Sequence, residues 1–276
     1  MSEAGAPTRN PDLPARFAAG VAMIAVAVGA TILGGWWFRL LVSAAAAVMV
    51  IEWADIHRAP RLWAYVGAAL LAALLLAGTE FVYPAGLWEV EVDAASFAPN
   101  WQGFGGVALL SLLVGLVSGR LAMIGGLIYI GVPSFALLSL GWVDEMLVFW
   151  VFIVTWATDI LAYFAGRAIG GPKLAPRISP NKTWAGLVGG VAGAGLLGWA
   201  TAAWFEMEPI FHWLGAPMGL VAQAGDLYES WVKRRAGVKD SGSILPGHGG
   251  VLDRLDGLLA VALATTLLLM AGLWTA

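Results

Sequence analysis

Residues 183–204 read TWAGLVGGVAGAGLLGWATAAW, a run without a single acidic or basic side chain. A bilayer core about 30 Å thick is crossed by about 20 helical residues rising 1.5 Å each, so this run has the length and character of a membrane helix. Its glycines and alanines, densest from Gly189 to Gly195, suit the close backbone approach by which helices associate in lipid. Outward from this stretch, comparable apolar segments fall at about 17–34, 37–54, 62–78, 104–119, 121–140, 145–166, 208–228 and 254–275. The sequence therefore predicts an all-α, polytopic transmembrane protein of about nine spans. The segment 104–119 is the weakest, being short and Gly-rich, and a re-entrant path is an alternative there.

Composition agrees. Of 276 residues, 60% are hydrophobic and only 12% charged, against about 45–50% and about 25% in soluble domains. So little polar surface excludes a water-soluble globule. The chain has no cysteine, which excludes disulfides, thiolate metal sites and a cysteine nucleophile. The net charge of −3 matters less than where the charges lie, and no nucleic-acid partner is expected. Residues 1–16 are polar, with Pro7, Pro11 and Pro14, and read as a short cytosolic tail rather than a cleaved signal.

With the N-terminus in the cytosol, nine spans place every basic residue except Arg39 of the 15 present on the cytosolic side. The opposite loops carry Glu80, Glu89, Glu91, Asp93, Asp144, Glu145, Glu206 and Glu208 without Lys or Arg. That asymmetry is the positive-inside pattern and puts the C-terminus outside. The long outer loop, about 80–103, has Trp88 and Trp101 as interfacial anchors. Unusual polar chemistry begins only at Asp159, so residues 17–140 read as a transmembrane scaffold or dimer surface and 141–276 as the catalytic transmembrane region.

Two clusters carry that chemistry. In the first, residues 226–256, the eighth helix continues to about Arg235 and aligns Asp226, Glu229, Ser230 and Lys233 on one face by their i, i+3, i+4, i+7 spacing. Carboxylates at a membrane boundary are costly unless paired or bound to a cation. The plainer alternative is an exposed helix end with solvated salt bridges. The following segment, Lys239 to Gly250, mixes Asp240, hydroxyls, His248, Gly249 and Gly250; glycines permit tight turns whose N–H groups cradle phosphate oxygens. The ninth helix opens with Asp253, Arg254 and Asp256. Asp253 as an N-cap is the plainer reading, but capping needs only one acid, and hard carboxylates beside phosphate-binding cations are what Mg²⁺ sites use.

The second cluster comes earlier in the chain. Asp159 lies inside the apolar run 149–164, where an acid is a functional candidate. Lys173, Arg177, Ser179, Asn181, Lys182 and Thr183 follow in a cytosolic loop. A positive-inside loop accounts for the bases but not for Asp159, and Thr183 could equally cap the seventh helix.

The first cluster resembles the signature of the phosphatidate cytidylyltransferase family, also called CDP-diacylglycerol synthases. The matching positions are Ser230, Val232, Lys233, Arg234, Lys239, Asp240, Gly242, Leu245, Pro246, His248, Gly249, Gly250, Val251, Asp253, Arg254, Leu255 and Asp256, with no departure between the first and the last. So many fixed polar positions make a chance match negligible. Asp226, Glu229, the Asp159 to Arg167 run and Ser179 to Gly186 are similar to the family as well. The resemblance is strong over about 145–260 and only general before that.

It implies that CTP and phosphatidic acid yield CDP-diacylglycerol and pyrophosphate, with Mg²⁺ as cofactor and a monovalent cation as a further candidate. It implies Asp226, Glu229, Asp253 and Asp256 as metal ligands, with Asp240 a weaker candidate. Lys233, Arg234, Lys239 and Arg254 then serve the CTP phosphates. Asp159, Lys173, Ser179, Asn181, Lys182, Thr183, Ser230, Gly249 and Gly250 are substrate-binding candidates, undivided between nucleotide and lipid headgroup. A phosphate monoester has a second pKa of about 6, so the lipid phosphate is already a dianionic nucleophile. His248 is then open to three roles: phosphate contact, loop orientation or general base. Expected surroundings are membrane lipids, a bacterial inner membrane, a cytosol-facing site and a homodimer. The alternatives are a CTP-dependent polyprenol-type lipid kinase and, from another class, an ion-coupled transporter, which would need polar residues through the membrane depth.

Overall fold

The computed structural model describes residues 13–82, 101–245 and 249–272. Among them are nine helices: α1 (Leu13–Leu33), α2 (Gly35–Ile56), α3 (Arg61–Val82), α4 (Trp101–Ser118), α5 (Leu121–Val143), α6 (Glu145–Ile169), α7 (Trp184–Trp204), α8 (Phe211–Arg235) and α9 (Leu252–Met270). Each apolar segment of the sequence coincides with one of them. The Gly-rich segment expected to be weakest forms α4 as one uninterrupted helix. Residues 83–100, which hold Trp88 and most of the expected outer loop, lie outside the described residues; Trp101 opens α4 and is exposed.

Six helices, α2 to α7, are long and apolar enough to cross a membrane. The described apolar part of α1, Ala18–Leu33, is shorter. α8 and α9 differ because one end of each is charged: Asp226, Glu229, Lys233, Arg234 and Arg235 on α8, and Asp253, Arg254 and Asp256 on α9. Exposed Trp184, Val188, Leu196 and Trp199 on α7, with Leu109, Leu113 and Leu116 on α4, give these helices the apolar outer surface that lipid requires.

The helices that carry the site interlock through small residues. A Cβ on Gly190 of α7 would approach the Thr158 carbonyl of α6 to 2.8 Å, and one on Gly198 would lie 3.0 Å from the Gly215 Cα of α8. Only glycine lets α7 lie this close to both neighbours. Trp150, fully buried on α6, donates its indole N–H to the Gly198 carbonyl at 3.0 Å and packs edge-on against Phe211 of α8. Between lipid-solvated helices, such packing and hydrogen bonding replace the hydrophobic driving force available in water.

One feature departs from expectation. The fold is not purely helical: Lys173–Ala175 and Ser179–Thr183 form a small antiparallel hairpin, β1 and β2, with Lys173 opposite Thr183 and Ala175 opposite Ser179. Gly170 and Gly171, at φ +68° and +93°, end α6, and Pro172, Pro176 and Pro180 deny the segment a helical ladder. α5 packs against α9, α2 against α5, and the end of α2 meets the start of α9, which carries residues of α2 and α5 to the charged end of the molecule.

Candidate active site

The face expected on α8 forms. Ser230 Oγ donates to Asp226 Oδ1 at 3.3 Å, and Lys233 Nζ lies 2.5 Å from Glu229 Oε2. Both are i, i+4 pairs. Lys233 Nζ is also 2.5 Å from Asp253 Oδ1, so one ammonium ties α8 to α9 between two buried carboxylates. Removing one partner of such an arrangement leaves buried charge uncompensated, at about 3–5 kcal/mol.

Asp253 is heavily engaged. Besides Lys233 it accepts the Ser241 amide on both oxygens, at 3.1 and 2.9 Å, and the Gly250 amide at 2.8 Å. It is not the N-cap of α9. The orphan amides there, Val251 and Leu252, donate instead to Glu52 Oε1 and Oε2 of α2, each at 2.8 Å, and Ser241 Oγ donates to Glu52 Oε2 at 3.0 Å. Glu52 is 2% exposed. Sequence reasoning missed it, although the rule applied to Asp159, that an acid in an apolar run is a functional candidate, fits it equally. Of the loop amides expected to cradle phosphate, those of Ser241 and Gly250 donate to Asp253, while the Val251 and Leu252 amides that follow donate to Glu52. Gly249, at φ +83°, packs against Asp253 and accepts the Leu245 amide.

The second cluster joins the first. Lys182 Nζ of β2 lies 2.6 Å from Asp226 Oδ2 and donates to the buried Gln223 Oε1 at 2.8 Å. Arg234 of α8 donates from Nε to the Ile178 carbonyl in the hairpin turn and from Nη1 to the Val238 carbonyl, both at 3.2 Å. Asp159 feels the charges of Asp226, Lys182 and Arg254. Buried Asp256 accepts the Gly257 amide at 2.7 Å and shares the field of Asp226, Glu229 and Asp159. Tyr129 of α5, also missed, lies within electrostatic reach of Asp256, Glu229 and Asp226 and packs in tilted contact with the rings of Trp53 and Tyr228. A lone tyrosine in an apolar helix carries no signal that would have singled it out.

The remaining candidates divide. Lys173, Asn181, Lys239 and Asp240 are exposed and Ser179 is half-buried. Thr183 is buried and caps α7, accepting the Gly186 amide at 3.0 Å, which is the structural role weighed against substrate contact. His248 lies outside the described residues.

Does this donor set fit a divalent cation? Among the described residues no three carboxylate or imidazole groups stand ready as a metal cage, and Lys233 occupies the space between Glu229 and Asp253. The chemistry nonetheless favours one. Asp159, Asp226, Glu229 and Asp256 share one region, each in the field of at least one other; Glu229 and Asp256 are buried, Asp226 half-buried and Asp159 exposed, and the mutual repulsion of clustered carboxylates is relieved by added positive charge. The Tyr129 hydroxyl and Glu229 Oε1 are buried without a hydrogen-bond partner among the described residues, leaving polar atoms unspent beside the cluster.

Carboxylates and cations thus gather at one end of a bundle whose helices α2 to α7 are long and apolar enough to cross a membrane. Residues 14–271 match the cytidylyltransferase family, and the chain belongs to that family. It is 40% identical over 267 residues to a phosphatidate cytidylyltransferase of Brucella abortus, covering 91% of each chain. A phosphatidate cytidylyltransferase of Pseudomonas aeruginosa is 34% identical over 274 residues, covering 96% of this chain and 99% of its own. One of Rickettsia bellii is 34% identical over 178 residues, covering 61% and 73%.

Proposed function

We propose that the protein transfers the cytidylyl group of CTP to phosphatidic acid, releasing pyrophosphate and forming CDP-diacylglycerol. A lipid-phosphate oxygen forms the new bond to the α-phosphorus of CTP, the bond from that phosphorus to the bridging oxygen breaks, and pyrophosphate leaves with the electron pair. The dianionic nucleophile needs no strong base. The main obstacle is bringing two polyanions together and stabilising the leaving group, which cations address.

The observation that carries this reading is the Lys182–Asp226 contact. It brings the hairpin against Asp226 of α8 and so links two clusters that are well separated in the sequence. Lys182 and Arg234 join the hairpin to α8, Arg254 lies within electrostatic reach of Asp159, and Lys173 and Lys239 are exposed. These side chains would hold substrate phosphates. Asp226 and Asp256, with Asp159 beside them, are the carboxylates left to hold Mg²⁺, since Lys233 spans Glu229 and Asp253. Bound there, the metal would neutralise phosphate charge. The relatives' names favour this reaction over the lipid-kinase and transporter alternatives.

The positive-inside pattern supports nine spans, N-terminus in the cytosol, C-terminus outside and the site facing the cytosol of a bacterial inner membrane. The absence of native cysteine makes orientation measurable: Ser243→Cys should react with an impermeant thiol reagent only after the membrane is opened from the cytosolic side. A homodimer, implied by family resemblance, is tested by mass measurement in detergent. For activity, purified protein is given labelled CTP, phosphatidic acid and Mg²⁺. Labelled CDP-diacylglycerol and pyrophosphate are expected, with loss on chelation; no product from the wild type would refute the reading.

A further inference from the structure

Glu52 belongs to α2, far in sequence from every signature residue, yet its carboxylate is enclosed by the segment that joins α8 to α9. It accepts the Val251 and Leu252 amides and the Ser241 hydroxyl, and it is 2% exposed. The loop is shaped to fit around it. A Cβ on Gly242 would come 2.8 Å from Glu52 Oε1, and one on Gly250 would come 2.6 Å from both carboxylate oxygens, distances that side-chain carbons do not tolerate. An anion at a helix N-terminus is favourable because the first amides have no partner within the helix. Here the anion is supplied by another helix, so it also fixes where α9 begins.

We propose that Glu52 is a positioning residue for nucleotidyl transfer. By holding Ser241 and the first two amides of α9, it fixes the loop whose Ser241 and Gly250 amides in turn hold Asp253, and Asp253 holds Lys233. Glu52 touches none of the reacting groups itself. The proposal rests on the reading that the loop and the start of α9 form the nucleotide side of the site. It gives the N-terminal helices a part in the reaction that composition did not suggest.

Glu52→Gln keeps size and shape but replaces one acceptor oxygen with an NH₂ that faces an amide donor or the Ser241 hydroxyl. Hydrogen–deuterium exchange of the purified full-length protein should then speed up by about tenfold or more in peptides carrying the Val251 and Leu252 amides, with α6 and α7 unchanged. The kcat/KM for CTP should fall about 10- to 100-fold, the effect of losing a hydrogen bond to a charged group, through KM for CTP more than through KM for phosphatidic acid. Glu52→Asp, which keeps the charge, should recover part of both. Exchange as slow as in the wild type overturns the proposal. So does a uniform rise in exchange across all helices with both KM values moving together, which marks a merely structural role. Faster exchange with unchanged CTP kinetics also overturns the positioning role. If instead the wild type makes no CDP-diacylglycerol, the activity reading fails while the exchange result still reports whether Glu52 pins the loop.

Discussion

The loop between α8 and α9 and the hairpin between α6 and α7 both bring polar groups to one site, yet they are held in opposite ways. The first wraps two acids, Glu52 and Asp253, the former buried, and is locked by Lys233. The second is largely exposed and meets α8 through Lys182 and Arg234. The difference separates a preorganised wall from one held by a few surface contacts. Substitution in the first should damage folding and catalysis together, whereas in the second it should damage catalysis while sparing the fold.

Lys233→Ala gives the largest expected effect. It leaves Glu229 buried without its cation and Asp253 with only its amide donors, so stability should fall by about 3–5 kcal/mol and activity should vanish, as followed by thermal unfolding in detergent and the CTP assay. Gly250→Ala is next: the added methyl meets the Glu52 carboxylate, and overpacking of this kind costs about 1–3 kcal/mol. Its melting temperature should drop clearly. Lys182→Ala tests the other wall. Its ion pair is partly exposed, at 17% and 31% for the two side chains, so solvent screening limits the stability loss to about 1 kcal/mol or less. Product formation should nonetheless fall at least about tenfold if Lys182 serves substrate phosphate as proposed. Arg234→Ala should be mildest, costing about 0.5 kcal/mol through its exposed hydrogen bonds to the Ile178 and Val238 carbonyls, with a smaller loss of product formation than Lys182→Ala. A Lys182→Ala variant that unfolds like Lys233→Ala would erase the distinction between the two walls.

The helices were legible because an apolar run of membrane length has few other interpretations. The shared face of Asp226, Glu229, Ser230 and Lys233 was legible for a similar reason, since helical spacing is local. The hairpin was not, because its register depends on pairing across a turn that three prolines and two glycines only permit. Lys182 beside Asp226, and Lys233 beside Asp253, needed the tertiary fold to pick one partner among many. Glu52 was hidden by its neighbourhood: one acid near the end of an apolar segment resembles an interfacial residue until the loop that encloses it is seen. Among the glycines of residues 242–250, read for their backbone freedom, Gly242 and Gly250 also make room for Glu52.

Asp256 bears most directly on whether the gathered carboxylates serve chemistry rather than folding. It is 8% exposed and lies in the field of Asp226, Glu229 and Asp159, an arrangement that like-charge repulsion makes unfavourable for the protein alone. Asp256→Asn keeps an oxygen for the Gly257 amide and removes the charge. Measured on one preparation, CDP-diacylglycerol formation should fall by at least about 100-fold, the scale of losing a group that stabilises transition-state charge, while the melting temperature stays level or rises. Near-wild-type activity, or a marked loss of stability, would contradict the account.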